Sequence, residues 1–262
     1  MAMNKTEKLW ALPQDKRYLL VFDVHQNIRW LERILDMEAG NFDHLILGGD
    51  YFDPYEPPPT TATVVETAVF LNGLLDSQGE ALTILLGNHD LPYMVASRMS
   101  DPGFFYHPFS DLKSYDTQTA KELAGALDPD FWSCGQLFAQ VHGYLLSHAG
   151  VAAEFWPDAA TVEASLGTLW DNGRLALDEA KQKRNPLLAP GRVRGGDTQE
   201  RGGITWQDWN LEFSDKDIPL PQIVGHTRSA SGARQQGRSW CLDGEQTCYG
   251  LLDQGGLEIG TQ

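Results

Sequence analysis

The sequence has few cysteines and no long apolar segment. Its three cysteines, Cys134, Cys241 and Cys248, form no Cys-x-x-Cys pair and are odd in number, which favours a reducing compartment over an oxidising one. Residues 1–10 lack the apolar core of a signal peptide, and no later run approaches the roughly 18 apolar residues of a membrane span. We therefore expect a cytoplasmic protein that does not use a membrane as its partner.

Positive charge is also scarce. The chain has 20 Lys and Arg residues against 36 Asp and Glu residues, which gives a net charge of −16. This balance repels the phosphate backbone of nucleic acids, so duplex nucleic acid is not an expected partner. An acidic protein can still bind a phosphorylated substrate where bound metal ions supply local positive charge.

Apolar residues, in contrast, are plentiful. They make up 42% of the 262 residues, enough for one large core, and we predict one domain over residues 1–262. Short apolar runs alternate with segments of helical period, which is typical of an α/β fold. We predict helices starting at Asn27 and near Thr60, and a long helix over 161–183. The predicted strands cover residues 18–22, 44–47, 81–86, 137–141, 144–147, 221–224, 239–242 and 249–252.

Two segments interrupt this alternation. Residues 91–135 are rich in aromatic side chains and show no clear period, so we predict an irregular insertion over or beside the functional site. Residues 191–203 are rich in glycine and arginine and are predicted to form a loop.

Five short polar clusters follow predicted strands. One such cluster is common by chance, and a single histidine is often a buried structural residue, so the inference rests on all five occurring in order. Ligands bind at the carboxyl ends of strands in α/β sheets, which is where these clusters lie. They are Asp23-Val24-His25, Gly49-Asp50-Tyr51-Phe52-Asp53, Gly87-Asn88-His89-Asp90, Ser147-His148-Ala149-Gly150 and Gly225-His226-Thr227.

Together the clusters resemble the signature of the calcineurin-like metallophosphoesterases over nearly the whole chain. Within that superfamily, the fourth and fifth clusters and Cys241-Leu242-Asp243-Gly244 resemble the branch of protein serine/threonine phosphatases and diadenosine tetraphosphatases. The resemblance implies a four-layer α/β/β/α sandwich, in which two packed mixed sheets are flanked by helices.

The resemblance also implies two divalent metal ions, one held by Asp23, His25 and Asp50. The second would be held by Asp50, Asn88, His148 and His226, so that Asp50 bridges both ions. Oxygen and imidazole ligands without a thiolate suit Mn first, with Fe, Zn, Co or Mg as alternatives. Two such ions can share a hydroxide and clamp the phosphate oxygens for in-line attack.

Three further acidic or basic residues receive roles from the resemblance. His89 would protonate the leaving oxygen as a catalytic residue, and Asp90 would orient its ring. Asp53 is predicted to support the site without touching a metal ion.

The sequence departs from the protein phosphatase branch at two expected phosphate-binding arginines. Pro54-Tyr55 continues the second cluster where that branch has Arg-Gly, and Gln207-Asp208 follows Trp206 where the second arginine is expected. A bidentate guanidinium suits a phosphate, although each remaining arginine is about as often a solvated loop charge. The candidates for phosphate binding are Arg192, Arg194, Arg201 and Arg228.

The function implied by the resemblance is hydrolysis of phosphate esters, with a phosphomonoester of a phosphoprotein or small phosphometabolite as the leading substrate. One alternative is a nucleotide pyrophosphatase that acts on dinucleoside polyphosphates, with aromatic residues of the insertion stacking on bases. Another is a metal-binding scaffold without turnover. Asn88-His89-Asp90 argues against the scaffold, because a non-catalytic protein needs no acid beside its metals. The sequence leaves the oligomeric state open.

Overall fold

The computed structural model describes residues 10–55, 62–102, 107–113 and 115–262. The strands in these parts of the chain are β1 (Tyr18–Val21), β2 (His44–Leu47), β3 (Leu82–Leu85), β4 (Gly135–Gln136), β5 (Phe138–Val141), β6 (Tyr144–Ser147), β7 (Gln222–Val224), β8 (Arg234–Gln236), β9 (Ser239–Cys241), β10 (Cys248–Asp253) and β11 (Gly256–Thr261). The helices are α1 (Ile28–Met37), α2 (Val64–Gln78), α3 (Asp90–Ser97), α4 (Thr117–Ala126), α5 (Pro129–Cys134) and α6 (Val162–Asp178).

The strands form two mixed sheets. The first sheet has the order β11-β10-β1-β2-β3-β4, in which β1 to β4 are parallel and β10 is antiparallel to both of its neighbours. The second has the order β5-β6-β7-β9-β8, in which β6, β7 and β9 are parallel and the outer strands are antiparallel. The central strands of each sheet are therefore parallel, and their carboxyl ends lie at the same edge of that sheet.

Successive side chains along a strand point to opposite faces of its sheet, so they belong to different apolar clusters. Leu20 of β1 and Ile46 of β2 belong to one buried cluster with Leu146 and Ile223 of the second sheet, so the two sheets pack face to face. The preceding residue of β1, Leu19, lies in a different cluster with side chains of α1, α2 and α6. Helices therefore cover the outer faces, and the predicted four-layer sandwich is confirmed.

The prediction of an irregular insertion over 91–135 is wrong for most of its described residues, because α3, α4 and α5 lie there. Asp116 accepts a hydrogen bond from the Thr119 amide at 2.7 Å, and Asp128 accepts one from the Asp130 amide at 2.9 Å. Such caps start short helices whose apolar period is too brief to recognise in the sequence. The aromatic residues 104–106 of this segment lie outside the described residues.

The second predicted helix starts later than expected. Helix α2 begins at Val64, where Thr63 and Glu66 form a capping box with each other's backbone amides. Thr60, the predicted start, lies outside the described residues. None of the helices in the described ranges combines the length and the apolar composition of a membrane span.

Candidate metal centre

The five polar clusters meet where the two sheets present their parallel strand ends. The six predicted metal ligands are all buried there. Asp23 and His25 follow β1, Asp50 follows β2, Asn88 follows β3, His148 follows β6 and His226 follows β7. Residues more than 200 positions apart thus face one another because their strands are neighbours in packed sheets.

The first cluster consists of Asp23, His25 and Asp50. His25 Nε2 lies 3.8 Å from Asp23 Oδ1 and 3.7 Å from Asp50 Oδ2. The other ring nitrogen, Nδ1, donates to the backbone carbonyl of Asp53. This hydrogen bond directs the Nε2 lone pair of His25 toward the two carboxylates, which is the orientation that a metal ligand requires.

The second cluster consists of Asp50, His148 and His226. His148 Nε2 lies 3.3 Å from Asp50 Oδ2, 3.2 Å from His226 Nδ1 and 3.0 Å from Asn88 Oδ1. Its Nδ1 donates to the Gly48 carbonyl oxygen at 2.8 Å. The amide oxygen of Asn88 therefore lies with this cluster, and Asp50 belongs to both clusters, as the bridging prediction requires.

The charges of the two clusters fit divalent cations. Asp23 and Asp50 are both buried, and within the described residues their ion-pair contacts are to histidines and to no lysine or arginine. Buried carboxylates need compensating charge, which a metal ion supplies. His226 Nε2 is also buried without a hydrogen-bond partner in the described part of the chain. This donor set of carboxylates, imidazoles and an amide suits ions such as Mn, Fe or Zn.

The backbone at these positions is held in an unusual conformation. Asp23, His25, Asp50 and His226 have φ values of 54°, 45°, 58° and 68°, in the left-handed region that residues other than glycine rarely adopt. Strained backbone of this kind concentrates at functional sites, where the surrounding fold enforces it. A Cβ atom at Gly87 would collide with the Asp50 carboxylate, which explains the glycine that precedes Asn88.

Comparison with protein families agrees with this geometry. Residues 17–245 match the family model of the calcineurin-like phosphoesterases. The chain belongs to this family. It is accordingly a phosphoesterase, an enzyme of the hydrolase class. A comparison with curated protein sequences finds no significant match.

Several solved structures share the phosphoesterase fold. The chain aligns with a cold-active protein-tyrosine phosphatase from a psychrophilic Shewanella species at 17% identity and a TM-score of 0.64, over 98% of this chain and 82% of that one. It aligns with a provisionally assigned diadenosine tetraphosphatase at 18% identity and a TM-score of 0.50, over 96% of both chains. A serine/threonine phosphatase from Saccharomyces cerevisiae, similar to human phosphatase PP5, gives 12% identity and a TM-score of 0.51, over 95% and 80%. At these identities the likeness shows the fold alone.

His89 of the phosphoesterase borders both clusters and is oriented by Asp53. Its Nε2 lies 3.9 Å from Asp50 Oδ2, and its Nδ1 lies 2.8 Å from Asp53 Oδ2. The other oxygen of Asp53 accepts a hydrogen bond from the Tyr93 hydroxyl at 2.7 Å. From its place next to His89 in the sequence, Asp90 was predicted to orient the ring, but Asp53 is the carboxylate that contacts it.

Asp90 instead fixes the backbone that carries the bridging residue. Its Oδ2 accepts hydrogen bonds from the amides of Asp50 and Gly87, both at 2.8 Å, and its Oδ1 accepts one from the Tyr51 amide at 3.0 Å. As the first residue of α3, Asp90 turns its side chain back toward the loops that follow β2 and β3. It is a positioning residue for Asp50.

The histidines differ in their affinity for protons. Burial disfavours the charged form of His89, but Asp50 and Asp53 outweigh it and raise the pKa of His89 to about 9. For His148, burial is again outweighed by Asp50, and the pKa is raised to about 10. Burial, followed by the positive charges of His148 and Arg194, holds the pKa of His226 well below its usual value.

The four candidate arginines lie in different surroundings. The guanidinium of Arg194 contacts Thr227, the residue next to His226, at 3.0 Å. That of Arg228 lies 5.1 Å from the ring centre of Tyr55, at the margin of the first cluster. Arg192 pairs with Glu200 at 2.8 Å on the surface, and Arg201 lies 3.6 Å from Glu154. All four thus have an acidic neighbour, Asp208 for Arg194 and Glu245 for Arg228, but only Arg194 and Arg228 also contact residues beside the two clusters.

Tyr55 follows Pro54, which stands where the first arginine was expected. Its ring packs on His25 with 3.9 Å between ring centres, and its hydroxyl donates to Asp243 Oδ1 at 2.7 Å. Burial, followed by the charge of Asp23, raises the pKa of Asp243 to about 7. Neither Tyr55 nor Asp243 was predicted to have a role from the sequence. The Cys-Leu-Asp-Gly segment, used there only for the resemblance, was the available signal for Asp243.

Proposed function

We propose that this phosphoesterase hydrolyses phosphate monoesters with two divalent ions, one held by each cluster, and with Asn88 completing the second. The observation that carries the proposal is that Asp50 belongs to both clusters, in each of which the candidate ligand atoms lie within 4.8 Å of one another. Bound there, the ions would activate a water molecule and polarise the phosphoryl oxygens. Manganese is the first candidate for both positions, because oxygen and imidazole ligands suit it.

His89 is the proton donor for the leaving oxygen in this proposal. Asp53 holds its Nδ1, so Nε2 is the nitrogen that faces the bridging carboxylate. In the metal-free protein Asp50 and Asp53 raise the pKa of the ring; with cations on Asp50, the contact with Asp53 still favours the protonated state that a general acid needs before it donates. Tyr93 holds the second oxygen of Asp53 and so limits rotation of the carboxylate that orients the ring.

A substrate and metal panel tests the proposal. The chelated protein is assayed after addition of Mn, Zn or Mg with an aryl monoester, an alkyl monoester, an aryl diester, phosphoserine and phosphotyrosine peptides, and diadenosine tetraphosphate. We expect two ions per chain and the highest kcat/KM for a monoester with manganese. Preferred cleavage of diadenosine tetraphosphate would instead establish a nucleotide pyrophosphatase. Binding of two ions without turnover of any ester would establish a scaffold.

A further inference from the structure

One arginine of the Gly/Arg-rich loop lies against the second cluster. Arg194 Nη2 donates to Thr227 Oγ1 at 3.0 Å and forms an ion pair with Asp208 Oδ2 at 2.9 Å. Thr227 directly follows His226, and its hydroxyl also accepts a hydrogen bond from the Trp209 amide at 3.0 Å. The guanidinium is thus anchored on two sides at the border of the candidate metal centre.

The loop that carries Arg194 is packed closely against the protein. Cβ atoms at Gly196 and Gly203 would collide with backbone atoms of Pro190 and Leu187, so glycine is required at both positions. Glu212 Oε2 accepts hydrogen bonds from the amides of Gly202 and Asp208, at 3.0 and 2.9 Å. Glycine in this segment therefore permits close backbone packing, and the position of Arg194 is set by the fold.

Gln207 and Asp208 stand where the resemblance predicted an arginine, and Asp208 pairs with Arg194 instead. Its side chain is buried, and its Oδ1 accepts hydrogen bonds from the amides of Asn210 and Leu211 at 2.9 and 3.0 Å. These two bonds fix the carboxylate independently of the arginine. A fixed carboxylate then orients the guanidinium, because an arginine and a carboxylate pair in a defined planar geometry.

Part of the guanidinium is left for a ligand. Nη2 makes both contacts, to Asp208 and to Thr227, whereas Nη1 has no hydrogen-bond partner among the described residues. We propose that Arg194, positioned by Asp208, clamps the phosphoryl group of the substrate and gives the enzyme its preference for monoesters over diesters. This inference rests on the proposed function and adds the residue that selects the substrate class.

Charge explains why such a clamp distinguishes the two substrate classes. A phosphate monoester carries close to two negative charges at neutral pH, because its second pKa is about 6, whereas a diester carries one. A guanidinium beside the phosphoryl oxygens therefore stabilises the monoester more strongly. The protein as a whole has a net charge of −16, so its other charges do not attract a phosphate ester in competition with Arg194.

Binding of inorganic phosphate and ester selectivity test the clamp together. Phosphate affinity of the manganese-loaded protein is measured by calorimetry for the wild type, Arg194→Ala and Arg192→Ala. We expect Arg194→Ala to weaken phosphate binding by about 10- to 100-fold, the range of a charge-assisted hydrogen bond. The ratio of kcat/KM for the monoester to that for the diester should fall by a similar factor. Arg192→Ala is the matched control, because Arg192 lies in the same loop but pairs with Glu200 at the surface.

The variants separate the clamp from a structural role and from the proposed function. Unchanged phosphate affinity and ester selectivity in a folded Arg194→Ala variant would overturn the clamp while leaving hydrolysis intact. Arg194-dependent phosphate binding by a wild type that hydrolyses no ester would overturn the proposed function and keep the clamp. If Arg194→Ala does not fold, Arg194→Lys is used to test the clamp. It keeps the charge beside Asp208 but lacks the planar fork, so we expect phosphate binding several-fold weaker than that of the wild type, and equal affinity would refute the clamp.

Discussion

The first and second clusters share Asp50 and differ in most of what surrounds it. The first has two carboxylates and one imidazole and lies against Tyr55 and Asp243. The second has one carboxylate, two imidazoles and the amide of Asn88, and it borders Arg194. The first therefore offers more negative charge to a cation, and the second offers less repulsion to a phosphate. This asymmetry suggests that one side of the centre mainly holds its ion, while the other mainly receives substrate.

Asp50→Asn is expected to have the largest effect, because it removes the feature that the clusters have in common. A neutral amide holds two adjacent cations less well than a carboxylate and screens their mutual repulsion less. We expect fewer than two ions per chain by elemental analysis. The loss of activity should exceed the roughly 10- to 100-fold that loss of an outer contact costs at a metal site.

Asp23→Asn provides the comparison for Asp50, since Asp23 belongs to the first cluster alone. This variant should retain an ion at the second cluster and should lose less activity than Asp50→Asn. Full occupancy by two ions in Asp50→Asn would show that Asp50 is not the bridge.

His89→Asn tests the residue that borders both clusters without belonging to either. Both ions should remain, while the rate falls by roughly 10²- to 10⁴-fold on an alkyl phosphate, whose leaving oxygen needs a proton. The loss should be small on an aryl phosphate with a good leaving group. Equal losses on the two esters, or departure of an ion, would count against the role of general acid.

Asp53→Asn should have a smaller effect of the same kind. The side-chain amide of this variant still lies beside His89, but the substitution removes the negative charge that orients the His89 ring and raises the pKa of that ring. We expect a loss of about 10- to 100-fold on the alkyl ester, typical of a partner that positions another residue. The alkaline limb of the pH profile, which reports loss of the proton from the general acid, should also move to lower pH. Tyr93→Phe, which removes only the outer hydrogen bond to Asp53, is the control and should lose less.

The sequence located the members of the two clusters far better than the residues that support them. Asp23, His25 and Asp50 each follow a strand directly, so the local pattern of an apolar run and a polar cluster located them. The orienting carboxylate of His89 was misassigned because Asp90 is adjacent in sequence, whereas Asp53 reaches the ring from the loop after β2. Adjacency along the chain does not determine which side chains meet in space.

The proposed phosphate contact of Arg194 depends even more on tertiary structure. Arg194 and Asp208 come from two segments without any periodicity, so no local pattern could have paired them or separated Arg194 from the surface residue Arg192.

Strands β8 and β11 were also missed, because β8 is a short edge strand with polar, partly exposed residues and β11 alternates small, polar and apolar side chains. The α/β pattern predicted the fold class, whereas the family resemblance predicted the four-layer sandwich.

The smallest expected effect concerns pH and the stability of the metal-free protein. His89 and His148 have folded-state pKa values raised to about 9 and 10, above the roughly 6.5 of an unfolded histidine. Between these values the folded state binds more protons than the unfolded state. The stabilisation is therefore complete below pH 6.5 and is lost as pH rises toward 10, with a slope of at most about 1.4 kcal/mol per pH unit for each histidine. Metal binding has the opposite dependence, because protons compete with an ion for His148.

Urea unfolding at several pH values between 6.5 and 9.5, with a chelator or with manganese, measures both dependences. In the chelator, the free energy of unfolding should fall as pH rises, and His89→Asn should make this fall less steep because one of the histidines with a raised pKa is gone. The variant also separates the histidines from the general repulsion of a chain with a net charge of −16, which both proteins share. With manganese, the added stabilisation should grow with pH, since a neutral His148 ring is the form that binds an ion. Stability that rises with pH in the chelator would mean that the carboxylates of the two clusters do not hold protons on these rings.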